Sequence, residues 1–518
     1  MFEAVHPCGL SCRLSFVDPK AALYQTPEAS RETPLDLIDR WLIRAADALA
    51  SAWDGETGNF WRDSLRGDSD ASDHDTSAPL GLGRGKGATS NNRAFQAAVS
   101  LCYFLSENDD IPLGRTALAD FQIIVREMVY RYFSRDIQDL RGHGENQQNV
   151  YTDSQLVLSL CLTLSPTTEL ACHLELDADL RSRLLRNLLA LVEDLVSNVG
   201  DEGVKVHPKA VPHHFLTLHA VRALDAASRT LEMLDPEMAA KLREPLTSSQ
   251  LMEHVRTETV QQLGLHLMPS PGFDSSSLLS CCALVSRFTG DAESPIIAQA
   301  VDALVAEQSD RGTWTSAGVL SFGRRRLVYI PSVELSLVLA NLTLFDLRAD
   351  GIDLFESSRP ALDSSFKLVQ SSFLRSGEAS GWRNDRTLSG YEVESWTTAV
   401  VLQFLIAYRE SLFAARQERV LRKYRASRPA AQFADFWPDL DRLIPSSDRA
   451  SRLRDGAVTS SAITKFVQTT DPTENNSLVN GIHDEIILPT LTGLCERPVD
   501  TASFLLYGPP GTLSLIHI

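Results

Sequence analysis

Six stretches decide the fold: Ala94–Leu105 (AFQAAVSLCYFL), Asp153–Leu164 (DSQLVLSLCLTL), Pro212–Leu224 (PHHFLTLHAVRAL), Asp274–Val285 (DSSSLLSCCALV), Pro331–Leu342 (PSVELSLVLANL) and Glu394–Leu405 (ESWTTAVVLQFL). Each is an apolar helix with a small or polar first turn. Their starts are separated by 59, 59, 62, 57 and 63 residues. That spacing holds two helices and two loops, and a fixed period signals repeat architecture. Between them lie longer, amphipathic stretches: Leu35–Trp53, Ala117–Ile137, Leu180–Val199, Met238–Leu265, Ile296–Glu307 and Leu362–Leu374. The apolar set, rich in Ser, Thr and Ala, suits an inner ring, and the charged, striped set an outer one. The fold class is therefore mainly α. Closed on itself the pattern is an (α/α)6 toroid; left open it is a helical solenoid.

Gln308-Ser309-Asp310-Arg311-Gly312-Thr313-Trp314 resembles the Q-x-x-x-G-x-W motif of terpenoid-cyclase-like toroids. Gly381-Trp382, followed by Glu394-Ser395-Trp396, looks like a less complete copy, and Gly58-Asn59-Phe60-Trp61 like a third. The resemblance spans about residues 35–410. It implies stapling roles: Gln caps a helix end, Gly permits a tight turn and Trp packs beneath the loop.

A second signal sits at the other end. Phe504–Thr512 reads FLLYGPPGT, an apolar strand running into the first half of a phosphate-binding loop. The pattern G-x-x-x-x-G-K-[ST] opens with Gly508, Pro509, Pro510, Gly511 and Thr512, but Leu513, Ser514 and Leu515 stand where Gly, Lys and a hydroxyl residue belong. In a complete loop, backbone N–H groups cradle the phosphates, Lys reaches the β- and γ-phosphates and the hydroxyl binds Mg²⁺. Upstream, Gly481–Leu494 is apolar at helical spacing, and Arg497-Pro498 leads through Asp500 into the strand. Residues 478–512 resemble the start of an AAA+ ATPase core up to its Walker A segment. The resemblance implies ATP and Mg²⁺ as cofactors of an intact parent, a protein client and a homo-oligomeric ring. Without the Lys and hydroxyl residue, the polypeptide as written is expected not to hydrolyse ATP. Residues 513–518 (LSLIHI) continue no phosphate loop and are similar to the translation of a transposase adaptor, so they are expected to be a non-native tail.

Composition fits this organisation. A chain of 518 residues, 43% hydrophobic and 22% charged, reads as two or three soluble domains. The net charge of −18 argues against a general nucleic-acid or membrane-surface binder, since phosphate surfaces select basic faces. No membrane span or basic-then-apolar leader is expected. The eight cysteines form no framework. Cys102, Cys161, Cys281 and Cys282 fall inside apolar helices, and Cys8 and Cys12 lack a second pair to complete a zinc set. A reducing cytoplasm follows.

Toroids host several reactions, so the fold names none. No D-x-D-D occurs, and Asp109-Asp110 starts a D-D-x-x-D in which Leu113 replaces the third Asp. Asp68–Asp75 (DSDASDHD) lies in the Ser/Gly-rich stretch Ser64–Asn92, expected to be a disordered insert. His207, His213, His214 and His219 cluster in sequence, but the five-residue step from His214 to His219 does not keep one helical face. Glu392 and Glu394, with Asp385, are an acid/base pair or N-caps. Arg324-Arg325-Arg326 reads as a solvated loop. No catalytic or metal set emerges.

The organisation expected is an extended lead-in over 1–34, a helical domain over 35–426 and a linker over 427–477. The motor start follows over 478–512 and the tail over 513–518. Glu410–Tyr424 is expected to prolong the last inner helix as a charged helix. The functional reading is the N-terminal part of an AAA+ ATPase whose helical domain senses or binds a client. A toroid enzyme (cyclase or glycoside-hydrolase-like) with an appended ATPase, and a non-catalytic scaffold, remain open.

Overall fold

The computed structural model describes residues 34–425, apart from 61–87, 142–149, 165–175 and shorter stretches between elements. It also describes two short antiparallel strands nearer the N-terminus, β1 (Ala4–Val5) and β2 (Ser11–Cys12). The linker, the motor segment with Gly508, Pro509, Pro510, Gly511 and Thr512, and the tail lie outside the described residues.

The chain is mainly helical. In order come α1 (Pro34–Ser51), α2 (Ala88–Glu107), α3 (Gly114–Met128, prolonged by a wide π turn, Val129–Phe133), α4 (Ile137–Arg141), α5 (Val150–Leu164), α6 (Ala178–Asn198) and α7 (His214–Leu231). Then follow α8 (Pro236–Leu246), α9 (Ser249–Leu267), α10 (Ser275–Thr289), α11 (Pro295–Glu307), α12 (Ser332–Arg348), α13 (Asp353–Ser371) and α14 (Ser395–Arg425). The six apolar stretches lie on α2, α5, α7, α10, α12 and α14. These pack in a circuit: α2 on α5, α5 on α7, α7 on α10, α10 on α12, α12 on α14, and α14 back on α2. The amphipathic helices lie against them: α3 on α2, α6 on α5, α9 on α10, α13 on α12 and α1 on α14, while α11 touches both α10 and α13.

Burial explains the two sequence patterns. Residues all round α5 are buried, polar ones included, because neighbours surround it. On α6 only the stripe Leu180, Leu184, Asn187, Leu188, Leu191, Val192 and Leu195 is buried, at the 3.6-residue period of one covered face. Ser395–Arg416 of α14 is, by length and composition alone, long and apolar enough to cross a membrane. It is 72% buried here, and its apolar surface packs on α1, α2 and α12.

Short hairpins join outer helices to the next inner one: β3 (Trp53–Asp54) with β4 (Asn59–Phe60), β5 (Val199–Gly200) with β6 (Gly203–Val204), β7 (Val319–Phe322) with β8 (Arg326–Tyr329), and β9 (Leu374–Ser376) with β10 (Ala379–Gly381). Around Gly312 the glycine turn and the buried Trp take the implied roles, but Gln308 reaches across the loop and to α13 rather than capping a helix end. Gln308 Nε2 donates to the Gly312 carbonyl at 3.2 Å and to Ser365 Oγ at 2.9 Å. Gly312 adopts φ +80°, and a Cβ there would lie 2.4 Å from the Ser364 carbonyl oxygen of α13. Trp314 is fully buried and its ring N–H donates to the Leu304 carbonyl in the last turn of α11, at 3.1 Å.

One feature of that staple recurs. The Trp314 backbone N–H donates to Ser332 Oγ in the first turn of α12, at 3.1 Å. At Gly381-Trp382 the partner is Thr398 Oγ1 on α14, again at 3.1 Å, and the Trp382 ring N–H donates to the Val369 carbonyl at 2.7 Å. At Gly58, with φ +68°, the buried residue is Phe60, whose N–H donates to Asn91 Oδ1 on α2 at 2.8 Å. A further copy, at Gly203-Val204, uses Thr217 Oγ1 on α7 at 2.9 Å. Each time a glycine turn, a buried apolar side chain and one hydroxyl or amide pin the start of an inner helix.

Several boundaries differ from expectation. The stretch Ser64–Asn92 is not an insert to its end: α2 begins at Ala88, Asn91 and Asn92 are buried, and Asn91 serves the staple. Met238–Leu265 is two helices, since Ser248 caps α9 by accepting from the Leu251 N–H at 3.3 Å, just beyond Pro245 in the last turn of α8. The expected Leu362 start of α13 lies well inside it, as the helix begins at Asp353 and runs through Pro360. The charged extension of α14 does continue, to Arg425.

Candidate ligand site at the centre of the helices

A cavity of about 730 Å³ opens between inner helices and the outer helix α3, which contributes Ala119, Gln122, Ile123 and Arg126. Its lining follows helical periodicity. Arg93, Gln96, Ser100 and Tyr103 form one face of α2, His219 and Arg222 one turn of α7, and Gln403, Ala407 and Glu410 one face of α14. Leu158 and Leu162 of α5 and Leu337 of α12 supply apolar wall.

A buried polar cluster lies beside it. Glu334 on α12, 2% exposed, is ion-paired with Arg93. It also accepts from Tyr151 Oη at 2.8 Å, and that oxygen accepts from Arg93 Nε at 3.2 Å. His219 places Nε2 3.6 Å from the same carboxylate. The Gln155 amide meets His219 Nδ1 at 3.1 Å, and Gln96 Nε2 donates to the Gln155 carbonyl at 2.8 Å. Donation by Gln155 makes Nδ1 the acceptor, so the neutral ring carries its proton on Nε2, towards Glu334. Burial, with Arg93 and Arg222 nearby, holds His219 well below the usual imidazole range. Burial likewise raises Tyr151, against the pull of Arg93.

Arg222 differs from Arg93. Among the described residues no carboxylate stands within ion-pair distance of it. Burial pulls it down to about 10, and the neighbouring cations Arg93 and Arg287 add to the shift. Arg287 is itself engaged by Asp225. The cavity lining thus carries three guanidinium groups, Arg93, Arg126 and Arg222, against the carboxylate of Glu410, with Glu334 behind Arg93.

The histidines singled out in the sequence separate. His207 lies outside the described residues, His213 holds the N-cap position of α7 with no side-chain cap bond, and His214 packs towards His254 and Glu258. The His214 ring lies 5.5 Å from that of His254 and 3.9 Å from Glu258, and burial pulls it down to about 4. Among the described histidines, His219 alone lines the cavity. Glu394 and Asp385 are not an acid/base pair in it. Glu394 accepts from the Asn384 N–H at 3.0 Å and from Thr397 Oγ1 at 2.6 Å, while Asp385 accepts from the Ser332 N–H at 2.9 Å and hydroxyl at 2.7 Å. Glu392, Asp68–Asp75, Asp109, Asp110, Arg324, Arg325 and Cys8 fall outside the described residues. Cys102, Cys161, Cys281 and Cys282 are buried free thiols, and burial pushes Cys282 up to about 12. Among the described residues no group of three His, Cys, Asp or Glu is placed to hold a metal ion.

Arg93, Tyr151, Arg222 and Glu334 were not singled out by sequence. The available signal was a charge inside an apolar inner stretch, as Arg222 is in PHHFLTLHAVRAL and Glu334 in PSVELSLVLANL. No protein-family model matches the chain, and no curated protein matches it.

Proposed function

We propose that the chain is the N-terminal part of a cytoplasmic AAA+ ATPase, in which an (α/α)6 toroid binds the ligand or client that the motor serves. The cavity lined from α2, α3, α5, α7, α12 and α14 carries the binding role. The circuit of six inner helices supports the toroid over an open solenoid, and the open centre favours a binder over a filled scaffold. The motor role rests on Phe504–Thr512, with Gly508, Pro509, Pro510, Gly511 and Thr512 forming the first half of the loop that takes ATP and Mg²⁺ in the parent. Hydrolysis there would drive client remodelling in a homo-oligomeric ring. Reading the parent gene across the Thr512 codon is expected to give Gly-Lys-[Ser/Thr] and a complete core, and the encoded protein to hydrolyse ATP. A gene that stops after the Ile518 codon overturns the motor.

A toroid enzyme is the second reading, favoured by Glu334, Tyr151 and His219 beside the cavity. Turnover of a cyclisable or glycosidic substrate by the parent, lost in Glu334→Gln and indifferent to ATP, would select it.

A further inference from the structure

We propose that the central cavity takes an organic anion, a carboxylate or phosphate head on an apolar body, with Arg222 as its counter-ion. This deepens the binding role proposed for the toroid and rests on it.

Charge is the first argument. A cation taken out of water is costly unless paired, and buried charges are normally paired or hydrogen-bonded. Arg93 meets this rule through Glu334 and Tyr151. Arg222, only partly buried where it lines the cavity, has no such partner, since its charged neighbours are Arg93 and Arg287 and the nearby carboxylates are engaged by those two. His219 cannot serve, because a neutral ring carries no charge. Glu410 lies two turns along α14 from Gln403 and is not among the groups that shift Arg222. With Arg126 and Glu410, which also line the cavity, three cations stand against two carboxylates, and one monoanion would bring Arg93, Arg126, Arg222, Glu334 and Glu410 to neutrality. The excess cation is notable in a chain of net charge −18, where chance would favour an acidic pocket.

Geometry is the second argument. Guanidinium groups match carboxylate and phosphate oxygens through paired N–H donors. Gln403 accepts from Arg93 through Oε1 at 3.4 Å, which turns its amide nitrogen to other partners. The walls beyond are aliphatic, from Val99, Leu158, Leu162, Leu337 and Ile406. A volume of about 730 Å³ far exceeds a bare inorganic ion and falls in the usual range for small organic ligands. A charged end beside an apolar wall selects an amphiphile.

The test uses the full chain and isothermal titration calorimetry with decanoate, decyl phosphate and decanol. One-to-one binding of at least one anion, about tenfold or more tighter than decanol, is expected; the tighter anion identifies the head. Arg222→Met should remove that preference and leave decanol unchanged. It should also raise the melting temperature without ligand, because an unpaired charge is gone. Gln403→Glu, which sets a competing carboxylate beside the cations, should weaken the anions by about tenfold and spare decanol. Equal binding of decanol and both anions overturns the inference while leaving the cavity a binding site. Binding of none of the three overturns both. Unchanged anion affinity in Arg222→Met, or a lowered melting temperature in it, also overturns the inference.

Discussion

At Gly312 one hydrogen atom decides the turn between α11 and α12. With φ +80° and the Ser364 carbonyl 2.4 Å from where a Cβ would sit, alanine must both strain the backbone and push α13 away. Gly312→Ala should cost about 2 kcal/mol or more, read as a lowered urea midpoint with an unchanged slope. A variant as stable as the parent would remove the turn from the list of essentials. His214 and His219 make a second prediction at this scale. Both have folded-state values below the unfolded value, His214 at about 4 and His219 well below 6.5. The unfolded chain therefore binds more protons, and the stability they confer is present above pH 6.5 and lost on acidification towards the folded values. Between pH 7 and pH 5 each should cost about 2 kcal/mol of stability. His214→Gln should lose less stability than the parent over that interval, by about the same amount; parallel pH curves would refute the assignment.

The staple is the unit that sets the inner helices, and its four copies offer a comparison no single site allows. Thr217, Ser332 and Thr398 each accept one backbone N–H, from Val204, Trp314 and Trp382. A buried N–H left without a partner costs about 1–3 kcal/mol. Thr217→Val, Ser332→Ala and Thr398→Val should therefore each destabilise by that amount in chemical denaturation, with no change at an exposed hydroxyl such as Ser51. Effects confined to one copy would make the recurrence accidental. The sequence reveals this device unevenly. Gln308, Gly312 and Trp314 announce it, because a motif of three unusual residues is rare. The copy at Gly203-Val204 is silent, since Val replaces Trp and the ring N–H anchor goes with it. The inner helices were legible from their apolar runs, which reflect contacts on all sides. The break at Ser248 was not, because apolar residues continue at helical spacing across it. The polar cluster was least legible: Arg93, Tyr151, His219 and Glu334 sit on four helices, and no local pattern joins them.

Across the whole molecule, the question is whether the circuit of helices is energetically closed. Arg409 on α14 bears on it, because its Nε pairs with Asp39 of α1 at 3.0 Å, its Nη1 donates to Asn108 Oδ1 at 2.8 Å, and it lies 5.1 Å over the Phe104 ring. It thus ties the last inner helix to the first outer helix and to the end of the first inner one. Both charges are largely buried, so removing one leaves the other without compensation. Arg409→Met should cost about 3 kcal/mol or more. Asp39→Asn alone should also destabilise, but added to Arg409→Met it should cost little, because the orphaned carboxylate is gone. The double-mutant cycle is therefore expected to give a coupling of about 1 kcal/mol or more between residues at opposite ends of the described chain. An open solenoid keeps its first and last helices apart and predicts a coupling of zero. Urea titrations of the four proteins decide between a ring and a spiral, and with it whether the polar cavity is enclosed by six helices or left open along one side.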